Sequence, residues 1–510
     1  METDVLVVGA GPTGLALALW LARLGVRVWI VDKTAAPGTT SRAVAVQART
    51  LELYRQIGLA DAVVTHGRKT TAANLWVAGK KVTHLFFGAL GAGISPFPYA
   101  LVYPQDEHER LLIARLAELG VEVERQTELL GFEEATGGVH ARLKRPDGTS
   151  ETCESAYIAG CDGAHSTVRQ ILGIGFAGGT YSHLFYVADV EASGAVMNGE
   201  IHVALDSSDF LAVFPLLDAR RARLVGTVRE DTEHLRENLA WQDVSQRVIA
   251  WMRIEVERVH WFSTYRVHHR VADHFRKGCA FLLGDAAHIH SPVGGQGMNT
   301  GIGDAVNLAW KLAAVLQGRA SAALLDSYEP ERIVFARRLV ATTDRAFTGV
   351  TSSSVTARLV RLQLVPLVLP LLFKFAPARR FLFRTVSQTA VNYRESSLSA
   401  GRAGAIHGGD RLPWVKLDAN SYGDNFTPLT SLIWQVHIYG DATSEIKAVC
   451  DERNLPLHVF PWRPEMGRAG MRRNALYLVR PDGYVALADP AGSATEITSY
   501  LDENKLALTQ

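Results

Sequence analysis

Cysteine is scarce in this chain, and the few cysteines present are not arranged for a disulfide or a metal. The 510 residues contain four of them, Cys153, Cys161, Cys279 and Cys450. No Cys-x-x-Cys and no His/Cys cluster occurs, and these are the patterns of structural zinc. Scattered single cysteines are typical of a reducing compartment. We therefore expect a cytoplasmic protein with no metal and no disulfide framework.

The chain also lacks an excess of charge of either sign. Lys and Arg number 53 against 52 Asp and Glu, so the formal net charge is +1. A nucleic-acid groove or an anionic membrane attracts long basic stretches, and the sequence has no such stretch. We expect neither nucleic acid nor a membrane as a partner.

Long hydrophobic runs are missing as well. The most apolar stretch, Leu364–Phe373, has ten residues and contains Pro366 and Pro370, whereas a membrane span needs about 20 residues. This stretch predicts a buried or interfacial helix pair rather than a membrane anchor. The first predicted strand starts within about three residues of the N-terminus, which leaves no room for a signal peptide.

What the chain does have is a glycine loop between a predicted strand and a predicted helix. Gly9, Gly11 and Gly14 follow the apolar run Val5–Val8 and open a strongly apolar segment. In such a loop the first glycine permits the turn, the second lets a pyrophosphate approach, and the third lets helix and strand pack. A second strand ends at Asp32, 18 residues after Gly14 and close to the ~20 expected for a ribose-binding acid. The pattern predicts a dinucleotide site, and the alternative is an ordinary glycine turn with an incidental aspartate.

A second glycine loop lies about 270 residues further along the chain. Gly284-Asp285 follows the apolar run Ala280–Leu283, and the glycine-rich segment Ser291–Asn299 comes next, before a predicted helix. Glycines let the backbone approach a flat ring, and Pro292 stiffens the segment and removes a donor. The two loops together predict one long dinucleotide held at both ends, and the alternative for the second is a glycine-rich surface turn.

Changes of pattern along the chain predict several domains in an α/β protein. Short alternating strands in the middle favour antiparallel pairing, and Pro481-Asp482-Gly483 predicts a hairpin turn near the C-terminus. The expected division is a discontinuous nucleotide-binding domain at 1–70, 98–180 and 272–360, a substrate-binding β-sheet domain at 71–97 and 181–271, a helical connector at 361–400, and a C-terminal unit at 401–510.

These motifs, in this order, resemble the class A FAD-dependent aromatic hydroxylases, which have a para-hydroxybenzoate hydroxylase-like fold. Besides the two loops, the resemblance is carried by Ser41-Arg42-Ala43, by Gln105 and by Cys161-Asp162-Gly163. It covers essentially the whole chain and includes the three-domain subgroup with a thioredoxin-like C-terminal domain. It implies a Rossmann-like FAD-binding domain of the glutathione reductase type with an inserted mixed or antiparallel sheet. Most members have Glu where this chain has Asp32, and Cys450 alone in the last domain excludes dithiol chemistry there.

The resemblance implies FAD as cofactor and NADPH or NADH as a transient reductant. Arg42 would touch the phosphates of both, Gln105 the flavin ribityl region, and Asp285 a ribityl hydroxyl. The last residues of the Ser291–Asn299 segment would present N–H groups to the flavin carbonyl edge. A surface arginine and a plain β-turn aspartate are the alternatives for Arg42 and Asp162. The residues so assigned to cofactor binding are Gly9, Gly11, Pro12, Thr13, Gly14, Asp32, Lys33, Arg42, Gln105, Asp162, Gly163, Gly284, Asp285, Pro292, Gly295, Gly297, Met298 and Asn299.

The implied reaction is hydroxylation of an aromatic substrate by O₂ through a flavin C4a-hydroperoxide. The implied substrate is phenolic and of the polycyclic polyketide type, which suggests a role in antibiotic biosynthesis. The enzyme is expected to be a monomer or a homodimer. No substrate-deprotonating residue is assigned, and Pro292 and Arg42 are the best catalytic candidates. Phe185, Phe214, Pro292 and Val293 are candidate pocket residues, although such aromatics are more often simple core. The alternatives are a Baeyer–Villiger or epoxidising flavin monooxygenase and a flavin-binding protein without turnover.

Overall fold

The computed structural model describes residues 1–38, 43–206, 210–228, 239–291, 294–351, 354–417 and 423–507. The strands in these residues are β1 (Glu2–Val8), β2 (Val28–Asp32), β3 (Ala45–Val46), β4 (Arg68–Thr70), β5 (Ala72–Val77), β6 (Lys80–Phe86), β7 (Ala100–Val102), β8 (Val123–Arg125), β9 (Glu128–Ala135), β10 (Gly138–Lys144), β11 (Ser150–Gly160), β12 (Phe176–Ser193), β13 (Ile201–Leu205), β14 (Phe210–Pro215), β15 (Arg221–Thr227), β16 (Glu255–Ala272), β17 (Arg276–Lys277), β18 (Ala280–Leu282), β19 (His288–Ile289), β20 (Ala400–Ala403), β21 (Ile406–His407), β22 (Gln435–Tyr439), β23 (Leu457–Phe460), β24 (Leu476–Val479) and β25 (Val485–Asp489). The α-helices are α1 (Pro12–Arg23), α2 (Ala48–Gln56), α3 (Ala60–His66), α4 (Phe87–Gly91), α5 (Gln105–Glu118), α6 (Thr167–Ile171), α7 (Gln246–Trp251), α8 (Gly297–Leu316), α9 (Tyr328–Thr351), α10 (Val355–Leu359), α11 (Val365–Leu372), α12 (Ala376–Val386), α13 (Ser444–Glu452), α14 (Pro464–Arg468) and α15 (Ala494–Glu503).

The first sheet is mixed and carries both glycine loops at the ends of its strands. Its order is β17-β18-β11-β1-β2-β8, with β1 parallel to both β2 and β11 and with β9 and β10 added antiparallel. The run Val5–Val7 is fully buried, as expected for a central parallel strand covered on both faces. Helices α1, α5 and α8 pack together beside it. The α/β fold class predicted from the sequence is confirmed.

The second sheet is large and nearly all antiparallel. Its order is β19-β16-β12-β15-β14-β13-β5-β6, and only the β13–β5 pair is parallel among the described strands. Strands β5 and β6 come from residues before 98, so the chain leaves the first sheet early and returns to it at β8, after β7, which pairs with β3 and β4 in a separate small sheet, and α5. One face of the second sheet is closed by a core that includes Val248, Ile249 and Met252 on and next to α7. The opposite face is turned to the first sheet's loops.

The C-terminal unit is built on a third sheet of order β21-β20-β25-β24-β22-β23, in which β22 and β23 are parallel. The predicted turn at Pro481-Asp482-Gly483 joins β24 to β25. Trp434 packs edge-to-face on Trp310 of α8, with ring centroids 5.6 Å apart, so this unit is attached to the main helix of the FAD-side layer. Its description as thioredoxin-like stays a prediction.

The apolar stretch Leu364–Phe373 is arranged differently from the expected buried pair. A π-helical turn at Val360–Leu364 joins α10 to α11, which contains Pro370, and the resulting helix is largely exposed. Leu367 is 67% exposed and Leu371 57%. Of the two expected locations, buried or interfacial, the buried one is therefore wrong, because a run of apolar residues shows its composition but not what covers it.

Candidate functional site

The first glycine loop has the geometry of a phosphate-binding turn. Gly9 has φ +103°, and a Cβ added to Gly14 would lie 2.0 Å from the Gly9 carbonyl oxygen. Both positions therefore require glycine for the protein's own packing. Gly11, in contrast, has no protein atom within 4 Å of an added Cβ. It caps α1 without a side-chain hydrogen bond, and the first turn of α1 has no acidic residue, so its N–H groups are available to an anion.

Asp32 lies at the end of β2 and faces this loop. Its Oδ2 accepts a hydrogen bond from the Ala10 N–H (2.7 Å), and its Oδ1 accepts from the N–H and hydroxyl of Thr34 (2.8 and 2.6 Å). Lys33 next to it is exposed. The carboxylate is thus fixed beside the start of α1, and its ribose contact stays a prediction.

The Asp162-Gly163 turn packs directly on the first loop. An added Cβ at Gly9 would lie 2.4 Å from the Cys161 carbonyl oxygen. Asp162 Oδ2 accepts from the Val168 N–H at 3.1 Å, and its Oδ1 is buried with no partner among the described residues. Burial raises the pKa of this carboxyl. A buried acceptor without a donor is what a bound hydroxyl or amide would satisfy.

The second glycine loop meets the first at Thr13. Added Cβ atoms at Gly284 and Gly301 would lie 2.5 and 2.2 Å from the Thr13 hydroxyl oxygen, so glycine lets both the Gly284 turn and α8 approach the start of α1. Pro12 lies beside Thr13 at the start of α1. Asp285 follows Gly284 and is exposed, as a carboxylate that holds a ligand hydroxyl must be.

The flavin loop predicted at Ser291–Asn299 is tied to residues 45–50. Asn299 accepts hydrogen bonds from the Gln47 N–H (2.8 Å) and the Thr50 hydroxyl (2.7 Å), and its amide donates to the Ala45 and Gly295 carbonyls (2.8 and 2.9 Å). The Asn299 side chain therefore has a positioning role. The backbone N–H groups of Gly297, Met298 and Asn299 form the first turn of α8 and have no partner within the helix. Arg42, Pro292 and Val293 lie outside the described residues.

Gln105 and His290 complete the surroundings of this loop. Gln105 begins α5; its N–H donates to the Ala43 carbonyl at 3.2 Å, and its side chain donates to Glu109 at 2.8 Å. His290 Nδ1 lies 2.7 Å from the Ser291 carbonyl, and its Nε2 is buried without a partner among the described residues. Burial, helped by the neighbouring His288, lowers the pKa of His290 to about 4. His290 is therefore neutral at pH 7. No set of His, Cys, Asp or Glu in the described ranges is grouped as metal ligands would be.

The open face of the second sheet carries rows of side chains that sequence reasoning only partly identified. The register places Phe214, Arg223, Asp189 and Trp261 side by side across four strands. Two residues further along each strand, the positions are small or β-branched: Ala212, Val225 and Val187 are buried, and Ser263 is partly exposed. The row beyond these contains Phe210, Phe185 and Tyr265. The face thus has a buried floor of small and β-branched residues, with an aromatic row on one side and, on the other, a row in which Phe214 and Trp261 flank the Arg223–Asp189 ion pair.

The two predicted pocket residues of this face differ in exposure. Phe185 is 1% exposed and belongs to the core beneath Tyr265. Phe214 is partly exposed and packs on Val44 and Val102 of the FAD-side layer. Phe214 therefore borders the space between the two layers, whereas the simple-core alternative describes Phe185.

An ion pair missed by sequence reasoning links this face to the arginine segment. Arg223 is 2% exposed and donates to both oxygens of Asp189 (2.7 and 2.8 Å) and to the Ala43 carbonyl (3.2 Å). The residue before Ala43 is the predicted NAD(P)H-contacting Arg42. Asp189 and Arg223 each alternate with apolar residues on adjacent strands. Charged residues at such inward-facing positions are the sequence pattern that could have predicted this ion pair.

The site combines three features: two glycine loops that meet at one helix junction, an Asp-Gly turn packed on them, and an aromatic sheet face opposite. Together these features are those of a class A flavoprotein monooxygenase. The structure fits FAD at three places. A phosphate would bind in the space at Gly11, and a hydroxyl would bind the buried Asp162 oxygen that has no partner among the described residues. A ring oxygen would bind at the start of α8, whose first turn has no acidic residue. The chain belongs to the family described as FAD binding domain, whose model matches residues 2–343. The protein is accordingly a FAD-dependent monooxygenase, with NAD(P)H as the reductant typical of the family.

Individual relatives are similar over nearly the whole length. The 6-methylpretetramide 4-monooxygenase of Streptomyces rimosus is 33% identical, over 98% of this chain and 93% of its own. The solved structure of an anhydrotetracycline hydroxylase from Streptomyces rimosus is 29% identical, with a TM-score of 0.80 and 98% of both chains covered. An aklavinone-11 hydroxylase solved with FAD and aklavinone is 26% identical, with a TM-score of 0.76 and 99% of both chains covered.

Proposed function

We propose that the protein hydroxylates a flat, polycyclic aromatic ring system of the polyketide type. The observation that carries this proposal is the sheet face turned to the FAD-side layer, where partly buried aromatic side chains lie over a floor of small and β-branched residues; these aromatics are Phe210, Phe214, Trp261 and Tyr265. A flat ring placed against these side chains makes aromatic contacts, which add about 0.5–1.5 kcal/mol beyond burial. The relatives named above, which are similar over their full length, act by their names on multi-ring compounds.

The chain's own residues have separate tasks in this reaction. Bound FAD supplies the electron transfer and oxygen chemistry. The N–H groups at the start of α1, next to Gly11, bind the pyrophosphate, and the Asp285 carboxylate accepts a hydrogen bond from a ribityl hydroxyl. The first N–H groups of α8 stabilise negative charge at the ring's carbonyl edge. Phe214 and its aromatic neighbours exclude water from the reacting ring.

The finer points belong to the same proposal. The domain boundaries are those predicted from the sequence, and the enzyme is a monomer or homodimer in the cytoplasm. All four cysteines are free in the structure, which supports a reducing compartment. The assigned cofactor residues, including Arg42 and Pro292, keep their predicted roles.

The experiment is NADPH oxidation by the FAD-loaded enzyme against single-ring phenols, naphthoquinones and tetracyclic polyketides. We expect stimulation by the multi-ring class with a product that gains one oxygen, and NMR of the product distinguishes an aromatic hydroxyl from an inserted or epoxide oxygen. Stimulation by single-ring phenols alone would contradict the proposal. Oxidation that yields only H₂O₂ with every compound would contradict it too.

A variant pair tests the sheet face itself. Phe214→Ala removes a partly exposed ring from the open face, and Phe262→Ala removes one from the opposite face, where it packs near Tyr186. We expect kcat/KM for the stimulating substrate to fall at least about tenfold in the first variant, because burial of a large side chain contributes about 1.5–3 kcal/mol. The second variant should retain it. Equal losses in both would show that the effect is one of stability.

A further inference from the structure

Helices α10 to α12 expose a set of large apolar side chains that no other described residue covers. We name the surface of residues 355–386 the connector surface. Its most exposed members are Val355 (84%), Leu359 (62%), Leu367 (67%), Leu371 (57%), Phe375 (66%) and Phe381 (72%). Single exposed apolar residues are ordinary, but a continuous series of this kind marks an interaction site.

The connector surface is also locally cationic. Residues 355–386 contain Arg358, Arg361, Lys374, Arg379, Arg380 and Arg384 and no Asp or Glu, although the whole chain carries a net charge of only +1. Arg358, Lys374 and Arg380 are exposed. Across the part of the chain that the structure describes, these three side chains form no ion pair. Exposed apolar groups flanked by unpaired cations are complementary to an anionic, amphipathic partner.

The connector surface cannot cross a membrane, although its length would allow it. Val355–Leu372 is long and apolar enough for a span by length and composition. One crossing would put the residues before it and after it on opposite sides. Buried ion pairs nevertheless join the two parts, Glu52 to Arg411 and Glu331 to Arg480. Val355–Leu372 is therefore not a membrane span in this fold.

A second copy of the chain fits the connector surface poorly. In a two-fold interface the same patch meets itself, so its cations would face identical cations with no carboxylate between them. Like charges in contact oppose association. The charge pattern favours a partner that has a negatively charged surface with an apolar interior beneath it.

We propose that the connector surface docks onto the face of an anionic phospholipid bilayer. The exposed apolar side chains of α10 to α12 insert at the boundary of headgroups and acyl chains, and the exposed cations Arg358, Lys374 and Arg380 contact lipid phosphates. The docking goes beyond hydroxylation and replaces the expectation that the protein has no membrane partner. A continuous basic stretch is not required, because the cations are spaced along helices between apolar residues.

The test is flotation of the FAD-loaded enzyme with phosphatidylcholine vesicles, with and without phosphatidylglycerol. We expect binding only with the anionic lipid, and its loss at high salt. Arg358→Gln, Lys374→Gln and Arg380→Gln together should lower partitioning roughly a hundredfold, since each cation near an anionic surface contributes roughly fivefold. The matched control carries Arg142→Gln, Lys144→Gln and Lys447→Gln, the same change of net charge on other surfaces, and should bind like the parent.

A second variant separates insertion from simple charge attraction. Leu367→Gln with Phe381→Gln alters exposed side chains only, so flavin absorbance and Tm should stay unchanged while flotation is lost. No flotation of the parent with anionic vesicles would overturn the proposal, and so would equal losses in the two charge triples. A parent dimer in light scattering that becomes monomeric in the Leu367/Phe381 variant, without vesicle binding, would assign the surface to a second copy instead.

Discussion

Gly11 is the position at which loss of FAD can be separated from loss of the fold. It adopts φ −77° and ψ −179°, which any residue can adopt, and an added Cβ has no protein atom within 4 Å. Alanine is a weaker helix cap than glycine by up to about 1 kcal/mol, but it gains about 0.4–1 kcal/mol by restricting the unfolded chain. The Gly11→Ala apoprotein should therefore keep its free energy of unfolding within about 1 kcal/mol.

On the proposed placement of FAD, the same methyl group would occupy the space through which the pyrophosphate reaches the N–H groups of α1. Loss of one hydrogen bond to a charged group costs about 1.5–3 kcal/mol, so we expect the Kd for FAD to rise roughly ten- to hundredfold. Calorimetric titration of the apoprotein with FAD measures this change. An unchanged Kd in Gly11→Ala would refute the placement of the pyrophosphate at this loop.

Gly14→Ala is the matched contrast in the same loop. Its added Cβ would lie 2.0 Å from the Gly9 carbonyl oxygen, so the backbone must shift and the loss should exceed the about 1–3 kcal/mol of ordinary overpacking. A lower Tm is therefore expected before any FAD is added. Equal apoprotein stability for the two variants would contradict this distinction between a ligand glycine and a packing glycine.

Glu52→Gln is expected to lower the free energy of unfolding by about 3–5 kcal/mol, because the Arg411 guanidinium then lies buried without its carboxylate. Glu465→Gln breaks an exposed pair and is the control, at under about 1 kcal/mol in urea unfolding; similar losses in both would contradict the argument. Burial lowers the pKa of His108 to about 3, while the unfolded imidazole takes up a proton below about 6.5. The contribution of His108 to the free energy of unfolding should therefore be fully present above about pH 6.5 and decline as the pH falls, with a loss of about 2 kcal/mol at pH 5. His108→Gln should flatten the profile of unfolding free energy measured over that pH range. An unchanged slope would show that His108 is accessible to protons in the folded state.

The elements that the sequence predicts well are those with a local cause. The strand, turn and helix at Gly9 to Gly14 follow from apolar runs and glycine conformations within about twenty residues of chain. The antiparallel sheet in the middle and the hairpin at Pro481-Asp482-Gly483 have the same local origin. The family resemblance supplied the cofactor and the reaction class, which periodicity alone does not contain.

The contacts that sequence reasoning missed join residues far apart in the chain. Asn299 fixes the flavin loop by bonding to Gln47 and Thr50, and Arg223 bonds to Ala43. Neither pairing has a spacing rule that a single sequence could reveal. The same holds for Arg480, which is adjacent to a correctly predicted turn but is buried against Glu331 of α9.

The connector shows a different limit of sequence reasoning. Leu364–Phe373 was expected to be buried or interfacial because it is too short and too rich in proline for a membrane span. Composition gave no information on which side of the helix another element would cover, and α11 contacts chiefly the edge strand β6 and its own neighbours. The balanced charge of the whole chain conceals the local excess of six cations within residues 355–386.

Helix α8 explains why loops so far apart in the chain form one site. Its first turn lies at the predicted flavin loop, and Gly301 in its second turn lets it approach Thr13. Further along, the buried Asp304 carboxylate accepts hydrogen bonds from the Gly284 N–H (3.0 Å), from His288 (2.8 Å) and from Arg332 (2.6 Å). Burial opposes the charge of Asp304, but Arg332 and His288 outweigh it, so its pKa is lowered and the carboxylate stays ionised. On the proposed placement of FAD, one rigid helix would thus set the distance between the ring end and the phosphate end of the cofactor, which a pair of independent surface loops could not hold.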